Sequence, residues 1–353
     1  MMEVKYTTIL KGIDLSERRL PILIERAKEP GPTIWLCGAT HGNEVTGIEV
    51  IHRIFNFLKR NPLKKGALYA APVINPLGFE MVKRENPYDG EDINRNFPGD
   101  NAGDTTERLT NAVFNSIAET KPDLVVDLHS DTLNSIPYII IDRPVGARTG
   151  IIETIKKSWI LAEKFGVTVT YDLEEEGYKK YSLDKSLTAA LVNRAQIPAF
   201  LVELGGPNVI HEGFVRIGTR GLKNLLAYFD MIQFEEGLWV SETKIKTDGK
   251  LELTGDVVSN EAGIIEYLAK PGEFIKAGQP LAKINNILGK VEETIFAKRD
   301  CYIISLIDQS VSFPGLEIIT AAVIEKKEKK EEARKEKTEK SEKTQNRAPL
   351  IIE

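Results

Sequence analysis

Six short apolar runs set the limits on what this chain can become: TIWLCG, ALYAAPVI, DLVVDLH, PYIIID, VTVTY and PAFLVEL, spread over residues 33–204. Each is rich in Val, Ile and aromatic residues and too short for a buried helix. Each is also apolar at consecutive positions, which predicts strands buried on both faces. Between them lie amphipathic stretches. In residues 44–60, Val45, Ile48, Ile51, Ile54, Phe55 and Leu58 recur at helical spacing, and residues 106–119, 152–165, 186–195 and 214–229 behave alike. Strands alternating with helices predict an α/β fold with a mostly parallel, doubly wound sheet. Such sheets collect ligand chemistry at the carboxyl ends of their strands.

After Glu236 the pattern changes. The runs GKLELTGDVV, AGIIEYLA, QPLAKI, CYIISLI and EIITAAV are β-like, and Asp248-Gly249, Pro271-Gly272, Ala277-Gly278 and Pro314-Gly315 punctuate them. This predicts a catalytic domain over residues 1–236 and a small all-β, barrel-like domain over 237–324. Residues 325–353 hold ten Lys/Arg and eight Glu with no apolar stripe until the last few positions, which predicts a solvated, disordered tail. The net charge is −5, and residues 1–324 without the tail carry −7. That acidic balance argues against a nucleic-acid surface. No apolar run nears the ~20 residues that span a bilayer, and MMEVKYTTILKGIDLSERR lacks a secretory apolar core. The two cysteines, Cys37 and Cys301, cannot build a disulfide framework and fit unpaired thiols in a reducing cytosol, so a cytoplasmic location is predicted.

Four segments carry chemistry. GATHGNEVTG follows the first apolar run, and a chain turning sharply through Gly42 and Asn43 can aim His41 and Glu44 at one point. DLVVDLHSD ends a buried strand in His129, beside Asp127, Ser130 and Asp131. Two His and one Glu are a common catalytic zinc set that leaves a position for water. In PAFLVELGGP, Glu203 interrupts an apolar strand near its end. A buried carboxylate needs a partner or a function; a structural ion pair is one reading and a general base beside activated water the other. EDINRNFPG places Asn94 and Arg95 in a polar loop, with Arg84 upstream. A guanidinium offers bidentate recognition of a carboxylate. Asp92 suits the outer N–H of a metal-bound His. Of the remaining histidines, His52 reads as a surface residue and His211 as packing at a helix start. Tyr171, Tyr178 and Tyr181 lie in a polar loop before the helix that leads to Glu203.

In this order, His-x-x-Glu, Asp-x-Asn-Arg, a strand-ending His and a late strand Glu resemble the zinc carboxypeptidase superfamily. GATHGNE, NPLGFE, DINRNF, DLHS and FLVELG resemble its succinylglutamate desuccinylase/aspartoacylase branch. The resemblance implies a sheet of zinc-carboxypeptidase type and one Zn²⁺ per chain on His41, Glu44 and His129. It implies Asn94 and Arg95 as the grip on a substrate carboxylate, Arg84 for carbonyl polarisation, Glu203 as general acid and base, and Asp92 as the partner of His41. The superfamily's mobile Tyr makes Tyr181 a candidate to close over substrate. AGIIEYLAKPGEFIKAGQPLAKI resembles half of a biotinyl/lipoyl-type barrel. The Ala-Met-Lys-Met signature is absent and Lys290 sits in LGKVE, so a structural unit or a wall of the substrate entrance is expected. The implied activity is amide hydrolysis of a small N-acyl amino acid. DINRNFPG also leaves open a carboxypeptidase acting on peptide C-termini, and a non-catalytic binding protein is a third reading. The expected partner is a small carboxylate-bearing molecule, with no nucleic acid and no membrane, and a homo-oligomer stays open.

Overall fold

A computed structural model describes residues 3–146, 148–233 and 241–325. The predicted domain boundary at Glu236 and residues 326–353 of the segment expected as a disordered tail lie outside the described residues. In chain order the strands of the first part are β1 (Glu3–Lys11), β2 (Glu17–Arg26), β3 (Glu29–Gly38), β4 (Lys65–Ala71), β5 (Leu124–His129), β6 (Asn134–Ser135), β7 (Tyr138–Ile141), β8 (Thr168–Tyr171) and β9 (Ala199–Glu203). The later strands are β10 (Leu251–Thr254), β11 (Gly263–Tyr267), β12 (Phe274–Ile275), β13 (Pro280–Asn285), β14 (Val291–Phe296), β15 (Cys301–Leu306), β16 (Val311–Ser312) and β17 (Ile319–Ile324). The helices are α1 (Thr46–Leu58), α2 (Pro76–Met81), α3 (Thr105–Ala118), α4 (Thr149–Phe165), α5 (Glu175–Lys180), α6 (Leu187–Ala190) and α7 (Glu212–Tyr228).

All six apolar runs become strands of one large sheet, ordered β1-β2-β4-β3-β5-β9-β7-β8-β10-β17-β15-β12. Its centre is mostly parallel: β3 pairs β4 and β5 in parallel, and β5 pairs β9 in parallel. β7, carrying PYIIID, runs antiparallel to β9. α1 and α4 both pack on α7. The apolar stripe of α1 is buried through Val50, Ile51, Ile54, Phe55 and Leu58. Residues 186–195 do not form one regular helix: α6 ends at Ala190 and a wider π-type turn follows over Leu191–Ala195. The antiparallel hairpin β1–β2, which lines one margin of the sheet through β2 and β4, has no counterpart in the sequence reading.

The β-rich segment continues the large sheet. Leu251 of β10 lies beside Thr170 of β8 in parallel register, and β17 and β15 follow. The exposed edge of β8 is thereby paired, which removes an aggregation-prone margin. β14, β13, β11 and β16 form a second sheet. Leu281, Ile284, Ile303 and Ile319, drawn from both sheets, are buried together. The segment also touches the first part beyond β5: Ser305 pairs with Ser135, and the Leu133 amide donates to Asp308 at 3.0 Å. Cys37 and Cys301 are both buried and unpaired, and among the described residues no helix is long and apolar enough to cross a membrane.

Candidate metal centre and active site

Three neighbouring strands deliver the key side chains. β3, β5 and β9 run side by side in parallel, so their carboxyl ends open on one crevice, with His129 directly beside Glu203. Past β3, buried Ala39 takes a left-handed backbone at φ 45°, a conformation costing about 1–3 kcal/mol in a non-glycine residue. The turn closes through the Glu44 amide donating to the His41 carbonyl at 3.0 Å. Gly42 is required there, because a Cβ would lie 2.0 Å from the Gly78 carbonyl carbon.

His41, Glu44 and His129 converge, all three buried, with one ligand atom from each within 4.8 Å of the others. Glu44 spans the two rings: Oε1 lies 2.6 Å from His41 Nδ1, and Oε2 lies 2.9 Å from His129 Nδ1. The Ser130 amide donates to Oε2 at 3.0 Å and fixes that carboxylate. The outer nitrogens are held as well. His41 Nε2 is 3.1 Å from Asp92 Oδ1, and His129 Nε2 is 2.8 Å from Asp127 Oδ2. A carboxylate on each Nε2–H leaves both Nδ1 lone pairs facing inward, the usual way of orienting metal-bound imidazoles. Burial opposes charge on Glu44, yet His41 and His129 hold its carboxyl well below the ordinary range. Burial likewise opposes charge on His129, while Asp127 and Glu44 raise it well above. The cluster is built to stabilise positive charge at its centre. Two imidazoles and one carboxylate fit a zinc ion with an open position.

Asp92 caps the short turn Ile93–Arg95, accepting from the Asn94 amide at 2.8 Å. Its Oδ2 accepts from Arg84 Nη2 at 3.0 Å, and Arg84 Nη1 reaches His41 Nδ1 at 3.2 Å and Glu44 Oε1 at 3.4 Å. Burial would raise Asp92, but the His41 hydrogen bond and the Arg84 and Arg95 charges keep it well below the usual carboxylate range. Asn94 is buried, and its Oδ1 accepts from the Leu187 amide at 2.9 Å. That directs its Nδ2 group away from Leu187. Arg95 donates to the Asn94 carbonyl at 2.7 Å and forms no ion pair among the described residues. Glu203 ends β9, and its Oε2 is shut off from solvent with no hydrogen-bond partner. Burial pushes its carboxyl well up; His129 and Arg84 pull against that, while Asp131 and Glu44 add to it. No ion pair holds Glu203 among the described residues, so the structural-partner reading has no support in the contacts around it.

The tyrosines divide. Tyr181 follows α5, is 47% exposed, stacks under Lys180 and makes no hydrogen bond to the cluster among the described residues. Tyr178 is buried and donates to Asp142 Oδ1 at 2.9 Å. His52 lies half-exposed on α1 near Glu49, and His211 caps α7 by accepting from the Gly213 amide at 3.2 Å. Lys290 sits in the exposed turn between β13 and β14. From the sequence Asp127 stands out only as a polar neighbour of His129. Its signal was present all the same: residues two apart on a strand share a face, so Asp-x-His at the end of β5 places carboxylate and ring together.

Known proteins resemble this chain over most of its length. Residues 30–229 match the family described as "Succinylglutamate desuccinylase/Aspartoacylase catalytic domain". The N-alpha-acetyl-L-2,4-diaminobutyric acid deacetylase of Halomonas elongata is 26% identical over 273 residues, covering 75% of this chain and 73% of the relative. A probable aspartoacylase of Trichodesmium erythraeum is 32% identical over 117 residues, covering 30% of this chain and 38% of that protein. Among solved structures, the product-bound ectoine utilization protein EutE (DoeB) of Ruegeria pomeroyi superposes with a TM-score of 0.75 at 20% identity, covering 91% of this chain and 95% of the other. A succinylglutamate desuccinylase/aspartoacylase of Rhodobacter sphaeroides gives 0.73 at 21% identity over 92% and 96%. At such identities the likeness speaks for the fold. With more than half of its length matched by the family profile, this chain belongs to the succinylglutamate desuccinylase/aspartoacylase family.

Proposed function

We propose that this protein is a zinc-dependent deacylase that hydrolyses the amide bond of a small N-acyl amino acid. The observation that carries the reading is the buried His41–Glu44–His129 cluster, with both outer imidazole nitrogens on carboxylates, beside the unpartnered Oε2 of Glu203. Family membership and the named deacetylase relative support the substrate class.

His41 Nδ1, Glu44 and His129 Nδ1 would hold the ion. When bound, zinc would supply Lewis acidity there, making the amide carbonyl more electrophilic and a water proton more acidic near neutral pH. Glu203 Oε2 takes that proton, and the water oxygen adds to the carbonyl carbon. Arg84, beside His41 and Glu44, stabilises the developing oxyanion. The C–N bond then breaks as Glu203 passes its proton to the leaving nitrogen, giving a carboxylate and a free amine. Arg95 and the Nδ2 group of Asn94 grip the carboxylate of the amino-acid half. Tyr181 is retained as the candidate that closes over bound substrate. We further propose residues 1–236 as the catalytic unit, residues 237–324 as an appended β unit bordering the entrance, and a cytoplasmic location.

The test is metal removal. Chelation should abolish hydrolysis of N-acetyl amino acids, and one equivalent of zinc should restore it, while C-terminally free peptides are cleaved poorly. Hydrolysis indifferent to chelation at proven metal loss would refute the reading.

A further inference from the structure

A second group of buried acids lies on the same sheet face as the catalytic cluster. Tyr138 pairs with Glu203 and Ile140 with Leu201, while Tyr138 and Ile140 lie beside Thr168 and Thr170 of β8. Side chains alternate along strands, and the Asp172 amide donates to the Ile141 carbonyl at 3.0 Å, extending the ladder past both strands. Asp142 and Asp172 therefore stand next to each other on the face that presents Glu203 and His129. Four residues separate Tyr138 from Asp142, about 13 Å along the strand.

Asp142 is 3% exposed and Asp172 8%. Asp142 Oδ1 accepts from Tyr178 at 2.9 Å and Ser186 at 3.4 Å, but its Oδ2 has no partner. Asp172 Oδ1 accepts only from the Leu173 amide, at 2.7 Å, among the described residues. The nearby cations make no hydrogen bond to either carboxylate among the described residues, although the charges of Arg95 and Arg143 pull Asp172 down. Arg143 is committed to Glu252 at 2.8 Å and to the carbonyls of Asp172 and Leu173. Arg95 is acted on by Asp92 and Arg84 of the metal site and by Asp172 and Asp142, yet bonds to neither of the latter two. The Leu187 amide on Asn94 and the Phe97 amide on the Lys185 carbonyl clamp the segment bearing Ser186 against the Asn94–Arg95 turn. The pair thus lies next to the residue that grips the substrate carboxylate.

We propose that Asp142 and Asp172 form a cation-accepting subsite for the amino-acid half of the substrate, whose side chain carries an ammonium group. The inference rests on the deacylase reading and deepens it. A buried carboxylate oxygen without a donor, as at Asp142 Oδ2, is costly, and an ammonium brings three N–H donors and a positive charge. Burial, and then the charge of Asp172, pushes Asp142 up to about 7, and burial pushes Asp172 up to about 6.

The experiment compares zinc-loaded full-length protein on Nα-acetyl-L-2,4-diaminobutyrate, Nα-acetyl-L-ornithine, their neutral analogue Nα-acetyl-L-norvaline, and Nα-acetyl-L-glutamate. Ammonium substrates should be favoured over norvaline by roughly 10²-fold or more in kcat/KM, the size expected when a buried charge gains or loses its partner. The ratio should fall at least tenfold in both Asp142→Asn and Asp172→Asn, with folding checked by melting temperature. Equal or better turnover of the neutral or acidic substrates, or an unchanged ratio in a folded variant, would overturn the subsite and leave the deacylase reading standing. Turnover of none of them would overturn the deacylase reading. Calorimetric titration with L-2,4-diaminobutyrate and L-norvaline then decides the subsite alone: selective diamine binding that Asp142→Asn abolishes upholds it, and its absence sinks it.

Discussion

Asp127→Asn isolates what the outer carboxylates do. Asp127 is fully buried and uses both oxygens: Oδ2 accepts from His129 Nε2 at 2.8 Å and Oδ1 from Thr40 Oγ1 at 2.9 Å. Asparagine fits the same space. With its oxygen toward His129 it keeps the hydrogen bond but loses the charge. With its amide toward His129 it forces the proton onto Nδ1 and blocks the inward lone pair. Removing such a partner weakens metal binding by about 10–100-fold, or roughly 1.4–2.8 kcal/mol. At saturating zinc the thermal stabilisation by metal should shrink by the same amount. Competition with a chromophoric chelator gives the affinity, and melting with zinc and with chelator gives the linked stability. Zinc affinity within threefold of wild type, in a folded variant, would show that Asp127 packs beneath His129 without orienting it.

Three further outcomes follow from the same geometry. Glu203→Gln should keep zinc and hold or gain melting temperature, since it neutralises a carboxylate whose Oε2 is buried and unpartnered, while kcat falls by about 10²–10⁴-fold; a zinc-loaded variant with wild-type kcat would end the general-base assignment. Arg95→Ala should raise KM for carboxylate substrates with a loss of about 2–5 kcal/mol in kcat/KM, and unchanged kinetics would remove it from the grip. The Asp142 carboxyl, raised to about 7 from 3.8, binds its proton more tightly folded than unfolded. Stability from this group is therefore present at low pH and lost as pH rises from about 4 through about 7, by roughly 4 kcal/mol at most. Asp142→Asn, with Asp172, Tyr178 and Arg95 still facing the site, should gain melting temperature relative to wild type across that window; parallel profiles would contradict it.

Much of the chain was legible because its signals are local. An apolar run such as DLVVDLH shows a doubly buried strand in its own letters, and the spacing of Ile51, Ile54, Phe55 and Leu58 shows the buried stripe of α1. His41, Glu44, His129 and Glu203 could be singled out for the same reason: a polar, metal-capable group at the end of an apolar strand is anomalous where it stands. Strand pairing is a different kind of information. It depends on backbone hydrogen bonds between distant segments, and those carry little imprint in either segment alone. Only the tertiary structure decided that β10 continues the sheet along β8, that β7 reverses against β9, and that the N-terminal hairpin closes the other margin. The same holds for acids whose meaning is their neighbour. Asp142 and Asp172 are ordinary letters thirty residues apart, and only the parallel pairing of β7 with β8 sets them side by side, because register, not sequence distance, determines which side chains share a face.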